Sequence, residues 1–105
     1  MIFISVEPVI ESFSIQSSFK ENTTLLIVCR GFGSPSPKAR LIHNDSTIFR
    51  TDLDESAFTS TIQWNVTRIS SKDGGLYTCE FENVIGVASR NHSIVVKGMY
   101  SLFNI

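Results

Sequence analysis

The chain has 105 residues, of which 42% are hydrophobic and 18% are charged, and its formal net charge is −1. This length fits one domain with a small core. A nearly neutral charge without a basic run argues against nucleic acid or an anionic membrane surface as the main partner, and no apolar stretch is long enough to cross a bilayer.

Both ends of the chain are apolar and are expected to lie outside the domain. The run Met1-Ile2-Phe3-Ile4 is too short for a signal peptide. We expect residues 1–5 to be an extension or linker, residues 6–98 to form the domain, and residues 99–105 to be a linker or the start of a neighbouring domain.

The first strands are predicted from loose alternation followed by a clear apolar run. Residues Val6–Ile10 and Ser14–Phe19 are expected to form two pieces of one strand, with Pro8 favouring a sheet edge. The run Thr24–Cys29 is the strongest strand signal in the chain. If Cys29 points inward, the two-residue period of a strand also turns Leu25 and Ile27 inward. Leu26 and Val28 then face outward.

A loop and a short strand are predicted next. Two glycines and two prolines in Gly31–Pro37 predict an irregular loop. Residues 43–46 form a turn cluster, Thr47–Arg50 a short strand, and Leu53–Ser56 a surface connection.

The segment Thr59–Val66 alternates clearly and predicts a strand with one inward face. Ile62, Trp64 and Val66 share that face, and Ile69 is expected to plug the turn that follows.

The most informative stretch is Asp73-Gly74-Gly75-Leu76-Tyr77-Thr78-Cys79. An acidic residue that can accept backbone hydrogen bonds precedes two glycines that permit unusual backbone angles. Tyr77 then lies two residues before a cysteine, where its ring can be buried and its hydroxyl can reach upstream backbone.

The last elements continue from this stretch. A strand is expected through Asn83, with Phe81 inward and Glu80 and Glu82 outward. Residues 83–86 predict a hairpin turn with Gly86 at positive φ. A final strand is predicted at Ser93–Lys97, with Ile94 and Val96 inward.

A turn, a tyrosine and a cysteine in this order resemble the corner of an I-set immunoglobulin domain. The resemblance implies an all-β, immunoglobulin-like sandwich of two antiparallel sheets with Greek-key connections, a tyrosine corner formed by Asp73, Gly75 and Tyr77, and a disulfide between Cys29 and Cys79. The 49 residues between the cysteines leave no room for the extra strand pair of a variable-type domain.

One position departs from the family pattern. The family's core tryptophan falls on Leu41 in this sequence. A leucine there would leave a hole in a close-packed core, so we expect Phe81, Trp64 or both to fill the space beside the cysteines. The expected core residues are Leu41, Trp64, Val66, Ile69 and Phe81.

The cysteines allow one intrachain bridge or two buried thiols, and the asparagines favour the bridge. Four of the six asparagines begin an Asn-X-Ser/Thr acceptor motif for N-glycosylation, where about one or two would by chance. This excess indicates the secretory pathway, in which disulfides form. The four acceptor motifs begin at Asn22, Asn44, Asn65 and Asn91.

No catalytic constellation or cofactor motif is present in the sequence. His43 and His92 are isolated, the acidic cluster Asp52, Asp54 and Glu55 has no calcium-loop framework, and the two cysteines lack companions for zinc. We expect no enzyme activity, no metal and no cofactor.

A protein partner is expected, through one of two surfaces. Arg40, Ile42, Glu80 and Glu82 are expected to share the outer face of one sheet, and Val84 and Ile85 to be exposed at a loop tip. The first hypothesis is an extracellular or cell-surface recognition module of an adhesion molecule or receptor, homophilic or heterophilic, that does not itself insert in a membrane. The alternatives are a receptor tyrosine kinase ectodomain, whose domains the run Tyr77–Asn83 with Gly86 resembles, and an intracellular domain like those of muscle filament proteins.

Overall fold

The computed structural model describes residues 4–51 and 58–98. Its described residues form a short 3₁₀ turn, Ser71–Asp73, and seven strands: β1 (Val6–Ser17), β2 (Leu25–Ser34), β3 (Lys38–His43), β4 (Ser46–Arg50), β5 (Thr59–Val66), β6 (Gly75–Glu82) and β7 (Val87–Ile94). None of the helical structure in these ranges has the length and hydrophobicity needed to cross a membrane.

The strands form two antiparallel sheets. One sheet has the order β1-β2-β5 and the other the order β4-β3-β6-β7. Because β2 pairs with β5 and β3 pairs with β6, the chain crosses between the sheets three times, after β2, after β4 and after β5, as in a Greek key. The predicted all-β sandwich is confirmed.

The core lies between the sheets and is centred on the two cysteines. Cys29 is the register partner of Ile62, and Cys79 is the partner of Leu41. All four residues are fully buried. Ile69 is also fully buried, below the end of β5.

Phe81 occupies a layer of small residues, one step along the strands from the cysteines. It pairs with Ala39 on one side and Ala88 on the other. A Cβ placed on Gly31 would lie only 2.7 Å from the Cδ1 of Phe81, so the ring lies directly over this glycine. The bulk of Phe81 therefore fills space left by a glycine and two alanines.

Trp64 packs on the opposite side of the cysteine layer. Its ring lies 5.9 Å from that of Phe49, which is the register partner of Leu41. Trp64 and Val66 are half-buried against the core. This aromatic pair lies next to the leucine that takes the family's tryptophan position, so it adds bulk near the site where the tryptophan is missing.

The predicted irregular loop at Gly31–Pro37 is wrong over its first four residues. Strand β2 continues to Ser34, with Gly31 paired to Ile10 on one side and Ser60 on the other. Glycines inside an extended, doubly paired strand keep their N–H donors, whereas prolines do not. The strand therefore ends at Pro35, and the loop is only residues 35–37.

The first and last strands also differ from prediction. Strand β1 is one continuous element with two irregularities in register, rather than two pieces. Strand β7 begins at Val87 and ends at Ile94, whereas Ser93–Lys97 was predicted. The sequence of β7 is mostly polar and therefore gives no strand signal. The strand forms because the preceding hairpin sets its pairing register with β6. Ile94 is buried and Val96 is half-buried, as expected.

Two turns show where positive φ occurs. Asn44 and Asp45 have φ values of 48° and 69°, so they form a tight two-residue hairpin between β3 and β4. Residues 83–86 form the second hairpin turn, but among the described residues Gly75 is the positive-φ glycine, at 117°, and the prediction for Gly86 is wrong. In this turn the N–H of Asn83 instead donates to the carbonyl of Gly86 at 3.0 Å.

Several predictions fall outside the described residues. These are the surface connection Leu53–Ser56, the acidic cluster of Asp52, Asp54 and Glu55, and the C-terminal segment 99–105. Residues 4 and 5 precede β1 and belong to no strand.

The sandwich has an upper end and a lower end, which are distinguished by the turns that they carry. The upper end carries the loop 35–37 and the turn 83–86. The lower end carries the turns at 20–24 and 44–45 and the connection 67–74.

Candidate recognition surfaces and the corner motif

A disulfide joins the two sheets at the centre of the sandwich. Cys29 on β2 and Cys79 on β6 are bonded; their Cα atoms are 6.5 Å apart and the residues lie 50 positions apart in sequence. Both are fully buried. The bridge therefore connects strands that share no backbone hydrogen bonds.

The residues of the predicted tyrosine corner come together at the lower end. The hydroxyl of Tyr77 donates to the backbone carbonyl of Asp73 at 2.5 Å. The carboxylate of Asp73 accepts from the backbone N–H of Ser70 at 2.8 Å. Gly75 supplies the positive φ that turns the chain into β6.

The surroundings of Tyr77 oppose ionisation of its hydroxyl. Burial, with a smaller contribution from the negative charge of Asp73, raises the pKa of Tyr77 to about 12. A neutral hydroxyl remains a hydrogen-bond donor, so the corner keeps its bond across the physiological pH range.

Two residues that sequence reasoning treated as a plain turn brace this corner. The ring of His43 stacks on Tyr77, with centroids 4.2 Å apart and planes at 10°. Its Nε2 donates to the carbonyl of Gly74 at 2.7 Å. The Oδ1 of Asn44 accepts from the backbone N–H of Leu76 at 2.9 Å. The only sequence signal for this contact was the Asn-Asp pair, which indicates a tight turn but not its neighbour.

The outer face of the four-stranded sheet carries the first candidate surface. Arg40 binds Glu80 with two hydrogen bonds, Nε to Oε1 at 2.7 Å and Nη2 to Oε2 at 3.2 Å. The hydrogen bond to Glu80 raises the pKa of Arg40, burial opposes this rise, and the charges of Glu80 and Glu82 add to it. Ile42 is half-buried beside this pair, and Glu82 is exposed. The four predicted residues therefore share one face, with part of its charge already paired.

The second candidate surface is the turn 83–86. Val84 is 85% exposed and Ile85 is 48% exposed. Val84 also lines a cavity of about 580 Å³ at the upper end.

Asn83 holds this turn and was missed by sequence reasoning. Its Nδ2 donates to the carbonyls of Val6 at 2.8 Å and Pro35 at 3.0 Å, and its Oδ1 accepts from the N–H groups of Ile85 and Gly86. One side chain thus connects the start of β1, the loop 35–37 and the hairpin turn. An asparagine at the start of a turn is common, so its sequence position gave no signal of the two long-range bonds.

The four predicted glycosylation motifs lie at the lower end or on the lower half of a strand. Asn22 and Asn44 are exposed in turns, Asn65 is exposed on the outer face of the three-stranded sheet, and Asn91 is exposed on the outer face of the four-stranded sheet. Asn91 is the register partner of Thr78, one step below the cysteine layer.

No group of three or more histidine, cysteine, aspartate or glutamate residues with metal-binding geometry occurs within ranges 4–51 and 58–98.

Comparison with known proteins identifies the family of this domain and supports its fold. A family model described as an immunoglobulin domain matches residues 7–83. Neural cell adhesion molecule L1 of Takifugu rubripes is 31% identical over 74 residues, which cover 70% of this chain and 6% of that protein. Vascular endothelial growth factor receptor 2 of Rattus norvegicus is 29% identical over 84 residues, which cover 78% of this chain and 6% of that protein.

A solved structure of titin domain M7 has a TM-score of 0.70 and 22% identity, covering 91% of this chain and 99% of that chain. The chain spans only a small part of the curated relatives that it matches. The match over residues 7–83, with a disulfide and a tyrosine corner in a seven-stranded sandwich, shows that this chain belongs to the immunoglobulin domain family.

Proposed function

We propose that this domain is an extracellular protein recognition module of a cell-adhesion molecule or cell-surface receptor, and that it acts by binding rather than catalysis. The observation that carries the proposal is the combination of a central disulfide with exposed acceptor asparagines on both outer faces, Asn65 and Asn91. Disulfides and N-linked sugars both belong to the secretory pathway.

The side chains of Asn65 and Asn91 are suited to carry sugars. Both are exposed, and within the described residues neither amide has a hydrogen-bond partner. A sugar on Asn65 would lie beside Leu26, its register partner, whose outward side chain is half-buried. This position would shield apolar surface on the three-stranded sheet.

Mass spectrometry of the intact chain from secreting animal cells tests the proposal. We expect masses that fall on enzymatic deglycosylation, and a further gain of two hydrogens on reduction. The variants Asn65→Gln and Asn91→Gln should each remove one glycan, whereas Asn83→Gln, which changes no acceptor motif, should remove none. Unmodified asparagines and two free thiols in the secreted chain would overturn the proposal.

Two alternative settings are supported by particular comparisons. The likeness to vascular endothelial growth factor receptor 2 supports a ligand-binding or spacer domain of a receptor tyrosine kinase ectodomain. The likeness to titin of Drosophila melanogaster, 26% identical over 73 residues, supports an intracellular structural domain. The intracellular alternative requires free thiols and unmodified asparagines, so the same mass measurement separates it from the first two.

A further inference from the structure

We propose that the upper end of the sandwich binds a second copy of this chain around a two-fold axis, with Val84 of each copy against the upper cavity of the other and Lys38 of each copy facing Glu82 of the other. The proposal rests on the recognition function proposed above and names its surface and its partner.

Exposed apolar side chains are concentrated at the upper end. Of ten large hydrophobic residues with substantial exposure in the described ranges, eight lie above the cysteine layer, and only Leu76 and Val95 lie below it. Exposed apolar residues that occur singly are ordinary, whereas a cluster at one end marks a contact surface. The eight are Ile4, Val6, Val9, Phe32, Phe58, Val84, Ile85 and Val87.

The upper end also has a concave part that can receive a side chain. The cavity of about 580 Å³ lies between the loop 35–37 and the turn 83–86. Val84 projects at its edge with 85% of its surface exposed. In an isologous contact each copy supplies the same surface, so a projecting side chain next to a cavity can fit the cavity of the second copy in both directions. The cavity is lined by Pro35, Ser36, Lys38, Glu82, Asn83 and Val84.

The cavity carries one positive and one negative side chain, so two copies of it can present opposite charges to each other. Lys38 and Glu82 are register partners on β3 and β6, and both line the cavity. Both are exposed, and within the part of the chain that the structure describes neither forms an ion pair. A two-fold axis between them would place each lysine opposite the partner copy's glutamate, so the same pair would form twice. Glu7 lies near Gly86 and adds a second carboxylate at the upper end.

This surface is held in place before any partner arrives. The four hydrogen bonds of Asn83 fix the turn to the start of β1 and to Pro35. A surface that is already ordered loses less conformational entropy on binding than a mobile loop.

The acceptor asparagines leave the upper end open. Asn22 and Asn44 lie in lower-end turns, and Asn65 and Asn91 lie on strands below the cysteine layer. Sugars at these four positions would cover the lower half of both faces and would leave the described residues of the upper end free of sugar.

Sedimentation equilibrium of the secreted, glycosylated chain tests the proposal. We expect a reversible dimer whose dissociation constant rises at least about tenfold in each of Lys38→Glu and Glu82→Lys, since each change creates two like-charge contacts. The double variant K38E/E82K restores opposite charges across the axis, and we expect it to return to within about threefold of the parent. Val84→Asp should weaken the dimer to a similar extent as the single charge reversals.

The matched control is Val95→Asp, which places the same charge on a valine that is 76% exposed and lies below the cysteine layer, and it should leave the dissociation constant unchanged. Circular dichroism and melting temperature establish that each variant is folded. A chain that stays monomeric up to millimolar concentration overturns the proposal, as does a dimer that Val84→Asp and the charge reversals leave unchanged, or one that the double variant does not restore. A monomeric chain that carries sugars and a disulfide would leave the recognition function standing with a different partner.

Discussion

Single residues at the core show how one large side chain depends on a very small neighbour. Phe81 is fully buried, and its ring lies against the backbone of Gly31 on the opposite sheet. Close-packed interiors tolerate neither an empty space nor an extra methyl group without a cost. The glycine is therefore explained by the ring above it, although by sequence alone it predicted a loop.

Replacing this glycine should expose the dependence. We expect Gly31→Ala to lower the free energy of unfolding by about 1–3 kcal/mol, because the new methyl group would overlap the ring of Phe81. Combining it with Phe81→Leu should cost less than the sum of the two single changes. Urea denaturation measures all three variants.

Gly98→Ala is the matched control, since a Cβ there would meet no atom closer than 3.9 Å. It should change stability by less than about 0.5 kcal/mol. If Gly31→Ala were equally mild, the packing of Phe81 on the backbone of β2 would be incorrect.

Tyr77 at the corner should make the stability of the domain depend on pH in the alkaline range. Tyr77→Phe removes the hydroxyl that donates to Asp73 and should cost about 1 kcal/mol at neutral pH. The folded protein raises the pKa of Tyr77 from 10.0 to about 12. Because the pKa is higher in the folded state, the stabilisation is complete below the unfolded-state pKa and is lost as the pH rises toward the folded-state pKa. The parent should therefore lose stability between about pH 10 and pH 12.

The phenylalanine variant has no hydroxyl to ionise at this position. Its stability should fall less steeply over the same interval, so the advantage of the parent should shrink with rising pH. Urea denaturation as a function of pH measures both proteins. Parallel curves for the two proteins would contradict the assignment of the alkaline loss to Tyr77.

At the scale of elements, hairpins and corners depend on side chains from distant strands. The turn between β3 and β4 does more than reverse the chain, because Asn44 accepts a hydrogen bond from the first residues of β6. His43 adds a stacked ring to the same corner. The lower end is thus stabilised by contacts between segments about 30 positions apart in sequence.

This contact can be separated from sugar attachment by using protein made in bacteria. Asn44→Ala should lower stability by at least about 1 kcal/mol, because the N–H of Leu76 loses its acceptor. Asn44→Asp keeps the acceptor oxygen and should remain close to the parent. Asn65→Ala, at an exposed acceptor asparagine whose side chain makes no hydrogen bond to the described residues, should stay within about 0.5 kcal/mol. Equal effects of the two alanine variants on thermal or urea unfolding would rule out the bracing role.

Elements also show the limits of prediction from sequence. Alternation located β5 at its observed bounds, since its apolar and polar residues match the two faces of one sheet. The predicted position of β7 was wrong, because residues 89–92 are all polar and show no alternation of apolar and polar side chains. The register of the hairpin determines their pairing. The corner motif was located because it is local, whereas the bonds of Asn83 and Asn44 join segments that only the fold brings together.

At the scale of the whole molecule, the disulfide adds a covalent cross-link between the sheets to the connections made by the main chain. It closes a loop of 50 positions, about half of the chain. In the chain-entropy account, such a bridge stabilises a protein by about 4 kcal/mol, a large share of the stability of a small domain.

Reduction should therefore lower the melting temperature by at least about 15 °C. Circular dichroism with and without a thiol reductant measures the change, and alkylation followed by mass spectrometry establishes that the bridge has opened. A fully reduced chain with an unchanged melting temperature would show that the bridge is dispensable for stability.

The position of the bridge also determines how the domain responds when it is pulled from its two ends. Tension that separates β1 from β7 can extend the segments outside Cys29 and Cys79, but the 50 positions between them are bypassed by the covalent link. At about 3.4 Å per residue, roughly 170 Å of contour length is withheld until the link is reduced. The oxidised domain can therefore extend only a short distance under tension, and reduction of the disulfide would increase its maximum extension.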